Sequence, residues 1–298
     1  MIKGKSVVAF TSNDASEYAF RSLVREGVID VVVTIDEKKA ERAGVSNYLD
    51  VRKYIDSSRI YYARRYSLKH EEDIRFFREG GFDIGLILGW NRLIPPAVID
   101  LFSLGIIGFH GTPLGLPRGR GRSPTIWSIA LGYDVFYFHA FRLTPGVDDG
   151  PIYVTRKVNI EVWDTVHTLH SKLAYILRDM AVEAMDMLIE GKKGTPQEGT
   201  PIYFRKRSEK DGHIKWFMGG VAVYNLVRAI TRPYPGAWTW HGKEKIRVWW
   251  GVPVKEVEGK PGEVLAVMKN SFLVGCGKDS FLVVDWDGPT PVEGDILM

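Results

Sequence analysis

Residues 105–124 read GIIGFHGTPLGLPRGRGRSP, and residues 146–150 read GVDDG. Ile106, Ile107 and Phe109 form a short apolar run of the kind that makes a buried strand. His110 stands where that run stops, and a Gly- and Pro-rich loop carrying Arg118, Arg120 and Arg122 follows. TIWSIAL at 125–131 then resumes a helical pattern. A titratable side chain at a strand's carboxyl end, beside a loop that opens a helix, is where open α/β sheets place their chemistry. Asp148 lies 38 residues beyond His110, in a second turn after another apolar run. A His and an acid at two strand ends can meet over one crevice, and a His oriented by a carboxylate is a recurrent acid–base pair.

Working outward, apolar β-prone runs at 6–11, 29–34, 59–64, 81–90, 135–144 and 151–160 predict strands. The run at 81–90, GFDIGLILGW, is nearly continuous and reads as a strand buried on both faces. Helices are predicted at 14–25, near 49–55, at 69–79, from Pro96, at 125–132 and over 164–191. The opening is Rossmann-like, yet its first turn, TSNDAS at 11–16, lacks any GxGxxG, which argues against a dinucleotide there. The fold class is therefore α/β, a Rossmann-like doubly wound N-terminal domain. GKKGTPQEGTP at 191–201 is rich in Gly, Pro and charge and marks the boundary. Beyond it, a helix at 219–231 leads into short strands near 245–250, 262–268, 271–276 and 280–286, the pattern of a small OB-like β-barrel. The expected domains are 1–200 and 201–298.

Composition narrows the function. The 298 residues are 45% hydrophobic and 26% charged, enough to bury a sizeable core. A net charge of +4 permits an anionic substrate but falls short of a nucleic-acid binder's footprint. The one cysteine, Cys276, excludes internal disulfides, and no Cys/His cluster suggests zinc. His167 and His170 stand three apart on the long helix and are not read as metal ligands, so no metal site is expected. No stretch has membrane-span character, and the chain enters its first strand almost at once, so the expectation is a cytoplasmic protein.

HGTPLG and RGRSP, followed by GVDDGPI, resemble the folate-dependent formyltransferases, the family of methionyl-tRNA formyltransferase and of the enzymes that N-formylate amino sugars on nucleotide carriers. His110, Thr112, the Arg120–Pro124 run and Asp148–Gly150 match the family pattern. IKWFMGGVAVYNLVRAITRPYPGAWTW and the strands after it are similar to the family's C-terminal domain, so the likeness runs over nearly the whole chain. Two departures stand out: the family's Asn position is Gly108, and the loop between Thr112 and Arg120 is two residues longer.

The resemblance implies 10-formyltetrahydrofolate as formyl donor, no metal, and a primary amine as acceptor. It places the pterin against the backbone of Arg92, Leu93 and Ile94 and of Thr144, Pro145, Gly146 and Val147, with Arg122 as a further folate contact. His110 would stabilise the oxyanion or take the amine's proton, and Asp148 would hold its tautomer. With Gly108 lacking a side chain, the oxyanion donor falls to Asn91, to the hydroxyl of Thr112, or to a water in the space Gly108 leaves. Each candidate has a plain structural counterpart: a core histidine for His110, an Asx turn for Asp148, a solvated loop for the arginines, a turn cap for Asn91. A tRNA acceptor would call for a basic insert after the second strand, but DEKKAERAGVSNYLD at 36–50 balances acids against bases. The acceptor expected is the amine of a nucleotide-linked amino sugar, a 4-amino sugar foremost. Methionyl-tRNA is the alternative, and an inactive folate- or partner-binding homologue the second alternative. A homodimer is compatible with either enzyme reading.

Overall fold

The structure is a computed structural model that describes residues 4–298. The chain divides into two compact units, the first made of the residues up to Gly121 with Tyr137–Val158 and His170–Tyr203. The second is made of Arg122–Phe136, Asn159–Leu169 and Phe204–Met298. It therefore takes in two segments that precede the Gly/Pro-rich stretch at 191–201. Among the described residues no helix is long and apolar enough to cross a membrane.

In chain order the first elements are β1 (Val7–Phe10), α1 (Glu17–Arg25), β2 (Val31–Thr34), α2 (Glu37–Ala43), β3 (Ile60–Tyr62), α3 (Glu71–Gly80), β4 (Ile84–Ile87) and α4 (Pro96–Ile99). They are followed by β5 (Gly105–Thr112), β6 (Arg118–Gly121), α5 (Pro124–Ala130), β7 (Val135–Arg142), β8 (Ile152–Asn159), α6 (Val166–Ile189) and β9 (Ile202–Phe204). One sheet runs in the order β3-β2-β1-β4-β5-β7-β8. Its first five strands are parallel, and β7 is antiparallel to β5. All four residues of β1 are fully buried, as a parallel strand covered on both faces requires. On one face Phe10, Phe77, Phe82, Trp90 and Phe102 make an aromatic core with α3 and the segment around α4. On the other, α1 and α6 meet through the Tyr18–Tyr175 ring pair and the Arg178–Glu26 ion pair. The doubly wound expectation holds.

Three local readings change. Residues 36–58 carry a full helix, α2, capped by the Asp36 carboxylate on the Lys39 N–H and closed by Gly44 in the left-handed region (φ 64°). The helix expected near 49–55 is only a 3₁₀ turn over Val51–Lys53, started by Asp50. The arginine loop contains a short strand, β6, which pairs with β9.

The second unit holds α7 (Gly220–Ile230), β10 (Ala237–His241), β11 (Glu244–Val254), β12 (Val264–Met268), β13 (Ser271–Gly275) and β14 (Ser280–Asp287). The strands form an antiparallel sheet in the order β10-β11-β14-β13-β12. Residues near 295–298 close it into a barrel. Trp240 and Met298 exchange backbone bonds at 2.6 and 2.9 Å along β10, while Leu297 donates to Gly262 at 2.8 Å and Val264 to Asp295 at 2.9 Å beside β12. Fully buried Ala237 and Thr239 alternate with Trp238 and Trp240, which therefore lie on the outer face, under Lys245.

Helix α7 packs on α5, and its Arg228 is buried. The Arg228 guanidinium donates to the carbonyls of Glu161 (3.0 Å) and Asp164 (2.7 Å) and to Asn225 Oδ1 (2.9 Å). Leucine at this position would fill the volume but strand two carbonyls and an amide oxygen. Arg228→Leu is expected to cost about 2–4 kcal/mol, read as a lower denaturant midpoint by tryptophan fluorescence.

Candidate active site

β5 is longer than its parallel partner. Its register with β4 runs from Ile84↔Gly105 to Leu86↔Ile107 and ends there. From Gly108 onward β5 continues past the carboxyl edge of β4 and pairs with β7, Gly108 opposite Phe141, His110 opposite His139 and Thr112 opposite Tyr137. The sequence reading placed His110 at the end of the strand. It stands inside β5, on the overhang where crevices of open sheets form. Alternation puts Gly108, His110 and Thr112 on one face with Phe141, His139 and Tyr137.

His110 and Asp148 come together, with Nδ1 at 3.4 Å from Asp148 Oδ2. The same carboxylate oxygen accepts the Gly121 N–H at 3.0 Å. His110 Nε2 lies 2.9 Å from the Gly119 carbonyl, which can only accept, so that nitrogen carries a hydrogen. His110 is thus held between a carbonyl on β6 and a carboxylate on the turn after β7. Asp148 itself adopts φ 50°, the left-handed region that Asp tolerates better than most residues. Its turn is crowded. A Cβ on Gly146 would come within 1.9 Å of Asp149 Oδ2, and one on Gly150 within 1.7 Å of the Arg142 carbonyl. Thr144 donates its hydroxyl to the Asp149 carboxylate, which ties the two ends of the turn together.

His139, unremarked in the sequence, faces His110 across the ladder and is only 4% exposed. Its Nε2 accepts the Leu116 N–H at 3.3 Å, so Nδ1 carries the hydrogen and donates to Thr155 Oγ1 at 2.9 Å. Burial, with His110 adding a smaller effect, pushes its pKa down to about 4. It is neutral at pH 7 and pins the loop after Thr112. A histidine in a run of aromatic strand residues gave no sign of this in the sequence.

The remaining expected residues are spread more widely. Thr112 is fully buried and already engaged, its hydroxyl donating to the Arg118 carbonyl at 2.8 Å and accepting the Leu114 N–H at 3.2 Å. Asn91 is exposed, its backbone N–H on Tyr66 Oη at 3.0 Å, and among the described residues its side-chain amide makes no hydrogen bond to His110. Arg92 stacks on the Tyr66 ring at 4.9 Å, Leu93 is 62% exposed, and Ile94 is buried in the aromatic core. In the segment opposite, Thr144 and Gly146 are half-buried and Pro145 and Val147 exposed. Arg122 has an exposed side chain and belongs to the second unit. Arg120 is the buried arginine of the three. A Cβ at Gly108 would already meet Phe141 Cζ at 3.0 Å and Leu143 Cδ1 at 3.1 Å, so these two side chains crowd the face above it. Among the described residues no group of three or more His, Cys, Asp or Glu side chains gathers as a metal site.

A His–Asp pair on the carboxyl edge of a doubly wound sheet is an arrangement that can carry out acid–base chemistry. The formyl transferase family model matches residues 7–185, and the model of the formyl transferase C-terminal domain matches residues 206–286. The chain belongs to the formyl transferase family. Among solved structures it resembles HypX from Aquifex aeolicus in complex with tetrahydrofolic acid (TM-score 0.66, 16% identity), over 98% of this chain but only 45% of HypX. It thus spans under half of that protein. It also resembles WlaRD, a sugar 3N-formyl transferase solved with dTDP and 5-N-formyl-THF (TM-score 0.67, 16% identity), over 94% of this chain and 97% of WlaRD. Methionyl-tRNA formyltransferase from Clostridium thermocellum matches at TM-score 0.57 and 18% identity, over 91% of this chain and 99% of that one.

Two measurements check the site's packing. His139 has a folded-state pKa near 4 against the ordinary 6.5, so its stabilising contribution is complete above pH 6.5 and is lost as pH falls toward 4. Between pH 7 and 4 the wild type is expected to lose about 3 kcal/mol more unfolding free energy than His139→Gln. Gly108→Asn is expected to cost about 1–3 kcal/mol through overpacking on Phe141 and Leu143, seen as a lower midpoint in denaturant.

Proposed function

We propose that this protein transfers a formyl group from 10-formyltetrahydrofolate to the primary amine of a nucleotide-linked amino sugar. The carrying observation is the His110–Asp148 contact at 3.4 Å on the β5 overhang, in a chain of the formyl transferase family. Formyl transfer joins the amine nitrogen to the formyl carbon, breaks that carbon's bond to N10 of the folate, and moves a proton from the amine to N10. Negative charge grows on the formyl oxygen meanwhile. The His110 N–H, now resting on the Gly119 carbonyl, is the donor that can turn to that charge. Asp148 balances the positive charge the ring carries when it takes up the amine's proton.

The pterin is assigned to the backbone of Arg92–Ile94 and of Thr144–Val147, where exposed Leu93 and Val147 offer apolar surface for its ring. Asn91 keeps the role of additional oxyanion donor, since its amide is exposed and uncommitted, whereas Thr112 spends its hydroxyl on the Arg118 loop. The charge-balanced segment 36–50 supports a small acceptor rather than tRNA.

His110→Ala and Asp148→Ala are each expected to lower turnover about 10²–10⁴-fold with the fold intact. The decisive assay incubates the protein with 10-formyltetrahydrofolate and a panel of amines, read by mass. Formylation of a nucleotide-linked amino sugar is expected. Efficient formylation of initiator methionyl-tRNA would reverse the acceptor assignment, and inactivity on every amine would favour a binding homologue.

A further inference from the structure

The segment 191–201, expected as a linker, is tied to the site. Thr195 exchanges two backbone bonds of 2.8 Å with Ile152 at the start of β8. Two residues on, Gln197 reaches the turn that carries Asp148. Its Nε2 donates to the carbonyls of Asp148 and Gly150, both at 2.8 Å. Its Oε1 accepts from Arg120 Nε at 3.2 Å and Nη2 at 2.6 Å. An amide has two hydrogens to give and two lone pairs to fill, and here all four are used. The amide cannot flip without setting its oxygen against two carbonyls and its NH₂ against a guanidinium.

Arg120 is 9% exposed and its other contact is Tyr203 Oη at 3.4 Å, so a buried cation is held by an amide oxygen instead of a carboxylate. Arg120 also lies on β6, between Gly119, whose carbonyl holds His110, and Gly121, whose N–H holds Asp148. The Gln197 amide therefore joins the two strips of backbone that grip the pair from opposite sides. It also bonds the carbonyl of the one residue in the turn that is not glycine yet sits at positive φ. Such backbone persists where neighbours over-determine it.

We propose that Gln197 is a positioning residue, fixing the left-handed Asp148 turn against the Arg120 strand so that the carboxylate stays on His110. The kinetic consequence rests on the formyl-transfer reading; the geometric one does not. Gln197→Glu is the informative variant. It keeps the length and an oxygen for Arg120 but turns an oxygen onto two carbonyls. Turnover is expected to fall about 10²-fold, as for a small misplacement of a reacting group, while KM for the formyl donor stays within about threefold. On an Asp148→Ala background the same change should add no further loss, because the carboxylate it positions is gone. Independently of activity, hydrogen exchange at the Gly121 amide should quicken about tenfold, the worth of one hydrogen bond, with the amides of Ile106 and Ile107 unchanged. Gln197→Met, which removes every bond at similar volume, is measured the same way and serves if the Glu variant does not fold.

Wild-type turnover in both variants, a loss that persists on the Asp148→Ala background, or an unchanged Gly121 amide would each overturn the proposal. If the wild type formylates nothing, the exchange measurement alone decides, so failure of the formyl-transfer reading and failure of the positioning role are told apart.

Discussion

Where β4 ends at Ile87, β5 still has backbone N–H and C=O groups to satisfy, and a buried strand cannot leave them bare. Its remaining partner is β7, running the opposite way. That obligation makes the site. It carries β5 beyond the parallel sheet, turns His110 onto an overhang, and brings the turn after β7 back to the same edge with Asp148 in it.

The crowding of the overhang explains both what it holds and what it lacks. Phe141, opposite Gly108, fills the face on which a longer side chain would stand. The glycine at 108 and the bulky phenylalanine opposite it are thus one packing arrangement, since a Cβ at 108 would press on the Phe141 ring. His139 fits the same logic, a large ring kept neutral by burial and used to hold a loop.

The pieces legible in the sequence were those written in local pattern. GFDIGLILGW read as a doubly covered strand because apolar continuity reports burial directly. His110 and Asp148 stood out because strand ends and Gly-flanked turns are local features. Helix α2 was missed because EKKAERA has almost no apolar stripe; its signal was the pair of caps, Asp36 and Gly44. Gln197 was missed for another reason. A single amide 49 residues from Asp148 carries no period and no motif, and only folding shows what it touches. The pairing of β6 with β9 is hidden likewise, because both strands are short and neither alternates. Gly108 makes a related point: absence of a side chain in sequence says nothing about who crowds the space.

The second unit draws on chain segments far apart, and this bears on the order in which it can form. Helix α5 buries Ile126 and Ile129, and α7, on which it packs, starts 90 residues after α5 ends. At ribosomal rates of roughly 5–20 residues per second, α5 leaves the tunnel about five to eighteen seconds before its partner. For that interval its apolar stripe is bare, although the parallel sheet has already been synthesised. A nascent chain stalled after α5 has left the tunnel and before α7 follows would expose a ready site for a chaperone, and the gap closes once α7 packs on α5.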